Sequence, residues 1–243
     1  MRPGAVLALR AVGALAVAGG LAAGAWLAWD ELGGQPIVRV RFGGDAGSVP
    51  AAARERLAAG LRGRPAREVS LAAVREAVRH LPWVRDCTVR YVFPGTLEVA
   101  IDAHVALARW DEARLVSVRG EVFAAGTDAA LPIFSGPEGS AAEMAAAWER
   151  VARAAAPLGI PVAELRLSAR RAWQARLASG LALELGREDI EARLARFAAA
   201  WPRIEAQAAG ATRADLRYPN GFALRGVAAA PANPAPRGAG RQG

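Results

Sequence analysis

In the stretch IVRVRF, starting at Ile37, Val38, Val40 and Phe42 fall on one face and Arg39 and Arg41 on the other, which predicts a half-buried strand. Two helical patterns follow. Pro50 suits the opening turn of the first after Ser48, and Leu57 and Leu61 repeat at four residues. Ser70 is placed to cap the second, whose apolar stripe is Leu71, Val74, Val78 and Leu81, with Pro82 as its stop. Alternation then returns in VRDCTVRYVF, sending Cys87, Val89, Tyr91 and Phe93 inward. A turn at Pro94 and Gly95 leads into TLEVAIDA, with Leu97, Val99 and Ile101 inward. The predicted order over 37–105 is β-α-α-β-β.

From Ala106 the pattern changes to short strands interleaved with two helices, up to residue 226. LVSVRGEVF predicts a hairpin turning at Arg119 and Gly120, and LPIFSG a short extended run. Ser140 followed by Glu143 has the spacing of a capping box, opening a helix with Met144, Trp148, Val151, Ala155 and Leu158 on one face. AELRLS is a strand, and AWQARLASGLALEL a hairpin about Ser179 and Gly180. Glu188 and Asp189 suit the first turn of a helix whose Ile190, Leu194, Phe197, Trp201 and Ile204 face inward, with Pro202 expected to interrupt it. The last pattern, DLRYPNGFALR, alternates as one strand with Leu216 and Tyr218 together and Asp215 and Arg217 opposite. Its proline suits an edge position. Residues 227–243 are a Pro/Ala/Gly tail without the means to form a core.

The N-terminus adds a membrane to this picture. Ala11 to Trp29 is 19 residues without a charge, close to what a helix needs to cross a hydrocarbon core of ~30 Å. Arg2 and Arg10 precede it and Asp30 and Glu31 follow, which orients a 1–10 arm to the cytoplasm and all later domains outside, with Trp26 and Trp29 as interfacial anchors and a linker over 30–36. A cleaved signal peptide is the competing assignment, through the A-x-A at Ala23 and Ala25; the run is longer than a signal core of about 7–15 residues. Gly20 and Gly24 form a GxxxG that so Ala/Gly-rich a segment produces by chance.

Composition removes several functions. The net charge is +8 and all 31 basic residues are arginine, yet they are scattered among Ala and Glu rather than gathered into a stripe, which argues against a nucleic-acid partner. The single cysteine, Cys87, excludes an internal disulfide and lies on a buried strand face. The two histidines, His80 and His104, have no second ligand at metal spacing, and no nucleophile elbow or phosphate loop appears.

Four stretches carry a likeness: LPWVRDCTVRYVFPGTLEVAI (81–101), ALARW to GEVF (106–123), LPIFSGPEGS (131–140) and ADLRYPNGFALR (214–225). In this order they resemble the FtsQ/DivIB family of bitopic division proteins, departing from it in IDAHVALARW and in the short N-terminal arm. The resemblance implies an α+β protein: one transmembrane helix, a POTRA domain over 37–105, then a mixed β domain over 106–226 ending in an edge strand. It implies no cofactor and no catalysis, but a scaffold in the inner membrane at the septum. Its last strand would bind FtsB, paired with FtsL, through Tyr218, Asn220, Gly221 and Phe222, supported by Leu216 and Leu224. The span and POTRA domain would contact other division proteins. A periplasmic peptide-binding or transport module is the alternative from another class, and a membrane-anchored cell-wall enzyme a third, for which the sequence nominates no carboxylate pair.

Overall fold

The structure, a computed structural model, describes residues 17–24, 34–206 and 208–226. Residues 17–24 are helical; the rest of the expected span, with Trp26 and Trp29, the N-terminal arm and the C-terminal tail lie outside the described residues. No helix among the described residues is long and apolar enough to cross a membrane. The chain divides into two compact units, Met1–His104 and Val105–Gly243.

In the first unit, β1 (Arg39–Gly44), α1 (Ala51–Leu61), α2 (Leu71–Arg79), β2 (Val84–Val92) and β3 (Thr96–Ala103) form a three-stranded sheet in the order β1-β3-β2 under two helices. The middle strand pairs on both sides, parallel to β1 and antiparallel to β2, and its Leu97, Val99 and Ile101 are almost completely buried against Val74 and Val78 of α2. This is the predicted alternation meeting a helical stripe. Ser70 caps α2 by accepting a hydrogen bond from the Ala73 amide at 3.2 Å. Cys87 is buried on β2, and burial pushes its thiol pKa up, as expected of a core residue rather than a nucleophile.

Three residues depart from the expected pattern: Leu71, the first residue of α2, is exposed, and one turn explains the other two. Val38 and Phe93 are exposed rather than inward. The amides of Val38 and Arg39 both donate to the Gly95 carbonyl, at 2.7 and 3.0 Å, so the chain is tied to the β2–β3 turn before alternation begins at Arg39. Phe93 lies in that turn, beyond the last residue of β2.

In the second unit one mixed sheet of nine strands, among the described residues, carries both helices on one face. The strands are β4 (Ala106–Arg109), β5 (Arg114–Ser117), β6 (Val122–Ala124), β7 (Ile133–Ser135), β8 (Val162–Leu167), β9 (Trp173–Leu177), β10 (Ala182–Gly186), β11 (Arg213–Asp215) and β12 (Ala223–Arg225). The helices are α3 (Ala141–Ala155) and α4 (Ile190–Ile204). The spatial order is β12-β11-β10-β9-β8-β7-β4-β5-β6. Met144 and Val151 of α3 and Leu194 and Phe197 of α4 are fully buried on Phe134, Leu165 and Leu183 of the sheet.

Three local expectations are corrected. Ser140 precedes α3 but forms no capping box: its hydroxyl donates to the Pro137 carbonyl at 2.6 Å, and Glu143 is ion-paired with Arg171 instead. Glu188 and Asp189 stand before α4 rather than in its first turn, because Asp189 turns the chain with a left-handed φ of 52°. DLRYPNGFALR is not one strand. It is two three-residue strands, β11 and β12, joined by a turn that holds Pro219.

Candidate docking edge

β12 ends the sheet, with β11 on one side and no strand on the other among the described residues. β11 runs parallel to β10, with Ala214 beside Leu183, and β12 returns antiparallel, with Leu224 beside Ala214. After Asp215 the chain leaves strand geometry. The Leu216 amide still donates to the Glu184 carbonyl at 2.9 Å, which carries its side chain into the core. Asp215 then fastens the turn: its carboxylate accepts from the Arg217 amide at 3.1 Å and from the Arg217 guanidinium at 2.8 and 2.6 Å. The hydrogen bonds from Arg217 hold the Asp215 carboxyl below its ordinary pKa, and those same bonds raise the guanidinium's. From α4, Arg196 donates to the Tyr218 carbonyl at 2.9 Å, so the first half of the turn is held from the strand and from the helix.

The six residues expected at the site are therefore brought together but face different ways. Leu216 is core, so it and Tyr218 do not share a face. Tyr218 is 54% exposed, with Asn220 exposed at the turn beside it. Phe222 is half-buried and packs edge-on against Phe197 of α4, with ring centroids 5.1 Å apart and planes at 89°. Leu224 is half-buried on the same core. A Cβ on Gly221 would meet nothing within 4 Å, so open space, not a fold requirement, surrounds that position.

Sequence inspection missed a second feature. A cavity of about 490 Å³ is lined by Arg170, Arg187, Arg193 and Arg217, with Ser168, Ala172, Gly186 and Glu188. Four guanidinium groups against one carboxylate favour an anionic occupant. Arg193 is fixed in place, donating to the Leu185 carbonyl at 2.7 Å over Gly186, where a side chain would collide with it. These arginines are separated by up to 47 residues, so no linear motif announces them; only the fold of β8–β10 onto the β11–β12 turn gathers them.

Comparison with known proteins places this arrangement. Residues 37–102 match the model of the POTRA domain, FtsQ-type, and residues 108–217 that of the cell division protein FtsQ/DivIB, C-terminal. The chain is 40% identical over 160 residues to the cell division protein FtsQ of Nitrosospira multiformis, covering 65% of this chain and 68% of that protein. It belongs to the FtsQ/DivIB family of cell division proteins. FtsQ of Burkholderia pseudomallei is 43% identical over 165 residues (65% of this chain, 66% of that protein). FtsQ of Xanthomonas campestris pv. campestris is 34% identical over 192 residues (78% and 69%). The chain thus spans about two-thirds of the length of the curated relatives it matches.

With the FtsQ-type POTRA match, the β-α-α-β-β order of the first unit is that of a POTRA domain, and the chain is an α+β protein of two unlike units. The FtsQ/DivIB C-terminal match ends at Arg217, just before Tyr218 to Arg225. Among the described residues no group of three His, Cys, Asp or Glu side chains is placed to hold a metal.

Proposed function

We propose that this FtsQ/DivIB-family chain is a non-catalytic scaffold of the division machinery, taking up an extended segment of FtsB, paired with FtsL, on the open side of β12. The observation that carries it is the edge itself, which no strand covers among the described residues and beside which an exposed aromatic stands. A sheet edge offers unpaired backbone groups for strand addition, and side chains beside it select the partner. Tyr218 is the exposed anchor; Phe222 and Leu224 form the half-buried floor on which an incoming apolar side chain would rest.

The chain is read as a single-pass inner-membrane protein at the septum, N-terminus in the cytoplasm, with Ala11 to Trp29 as the span. The POTRA domain and span would contact other division proteins. The test is affinity of the full chain, in detergent or nanodiscs, for the FtsB–FtsL pair. Tyr218→Ala, an exposed truncation, should weaken binding about thirtyfold while leaving the fold intact. Unchanged binding by a folded variant would remove Tyr218 from the site.

A further inference from the structure

The helix-free face of the sheet carries its charges in columns across the strands, and the cation at the edge strand makes no direct ion pair among the described residues. Strand register places Arg225, Arg213, Ala182, Arg176 and Glu164 in one row, and Ala223, Asp215, Glu184, Gln174 and Arg166 in the next. Inward of the edge every charged side chain of the two rows has an ion-pair partner. Glu164 accepts from Arg166 at 2.7 Å and from Arg176 at 3.1 Å. Glu184 accepts from Gln174 at 2.9 Å and pairs with Arg213 at 3.2 Å. Asp215 is taken by Arg217. Arg225 on β12 is exposed and makes no ion pair among the described residues: it acts only at longer range on Asp215, which Arg217 already holds, and its cross-strand neighbour is another cation, Arg213. Like charges directly opposite on paired strands repel.

We infer that the strand received by β12 carries consecutive acidic and apolar residues, the carboxylate set against Arg225 on the helix-free face and the apolar side chain against Leu224 on the helix face. This rests on β12 being the docking edge. Leu224 faces the helices with the half-buried Phe222, and Arg225 faces the other way beside a cavity of about 270 Å³ that it lines with Arg213, Asp215 and Glu184. Alternation in the incoming strand then requires the two side-chain types at adjacent positions.

Two occupants from this chain lack the chemistry. Residues 227–243 contain no Asp or Glu and three prolines, which cannot donate to a ladder. A second copy pairing β12 on β12 offers only Ala223, Leu224 and Arg225, again without a carboxylate. An acidic segment of another protein completes the column.

The test uses the full chain with the FtsB–FtsL pair as probe. A photo-crosslinking residue at Ala223 reports whether a strand lies on the edge and which segment it is. Arg225→Gln and Arg225→Glu, each with the melting temperature of the parent, report the charge. The expected result is a crosslink at 223, with affinity lower by about threefold for Gln and about tenfold for Glu, a difference that shrinks at high salt. Reversing the mapped acid to Arg restores binding to Arg225→Glu. A retained crosslink with affinity unchanged in Arg225→Glu would overturn the acid assignment and leave the docking edge standing. Binding without any crosslink at 223 would overturn both.

Discussion

Two hairpins in this chain share a sequence signature and differ in what surrounds them. The first runs through VRYVFPGTLEV and the second through ADLRYPNGFAL, each alternating apolar and polar residues about an aromatic-proline step followed by glycine. In the POTRA domain β3 is flanked on both sides, and Leu97, Val99 and Ile101 vanish beneath the helices. In the second unit β12 has one neighbour among the described residues, and Phe222 and Leu224 are only half-buried. Alternation fixes which face a side chain takes; the number of flanking strands decides whether burial is completed within the chain or left for a partner.

The comparison predicts a graded series. Leu97→Ala should cost about 3 kcal/mol in chemical denaturation, since a fully buried side chain on a doubly flanked strand leaves a cavity. Phe222→Ala should cost less, about 2 kcal/mol, because one side of the ring is already open and its main loss is the edge contact with Phe197. A cost for Phe222 equal to that of Leu97 would mean that the second hairpin is closed core. Tyr218→Ala should change stability by no more than ~0.5 kcal/mol, its effect appearing in partner affinity alone.

The smallest effect is electrostatic. The Asp215 pKa is depressed in the fold, so the stability its ion pair contributes is present above the ordinary carboxylate pKa and is lost as pH falls through the depressed value. Arg217→Gln should raise that pKa towards ordinary and flatten this part of the acid limb, checked by following the Asp215 carboxyl by NMR titration. An unmoved titration would mean that Arg217 does not hold the turn.

The POTRA unit was legible because long elements set its pattern: eight or nine residues of alternation in β2 and β3, and a helix capped by Ser70. At the candidate docking edge, alternation over DLRY predicted Leu216 and Tyr218 on one face. The Asp215–Arg217 hydrogen bonds instead end β11 and turn Tyr218 outward, a local side-chain event that periodicity does not register. The arginine cavity was hidden for a different reason. Arg170, Arg187, Arg193 and Arg217 sit on separate elements, so scattered arginines become a patch only in three dimensions. Ser140 shows a third limit: correct capping-box spacing, but a hydroxyl drawn to Pro137 by a tight preceding turn.

The central claim is that β12 is an edge kept open for another chain, and amide hydrogen exchange of the full chain with and without FtsB–FtsL tests it most directly. The account predicts that amides of Ala223 to Arg225 exchange readily in the free protein and become protected in the complex, while those of Leu97 to Ile101 are protected in both. A complex that forms with no change in exchange over Ala223 to Arg225 would contradict it.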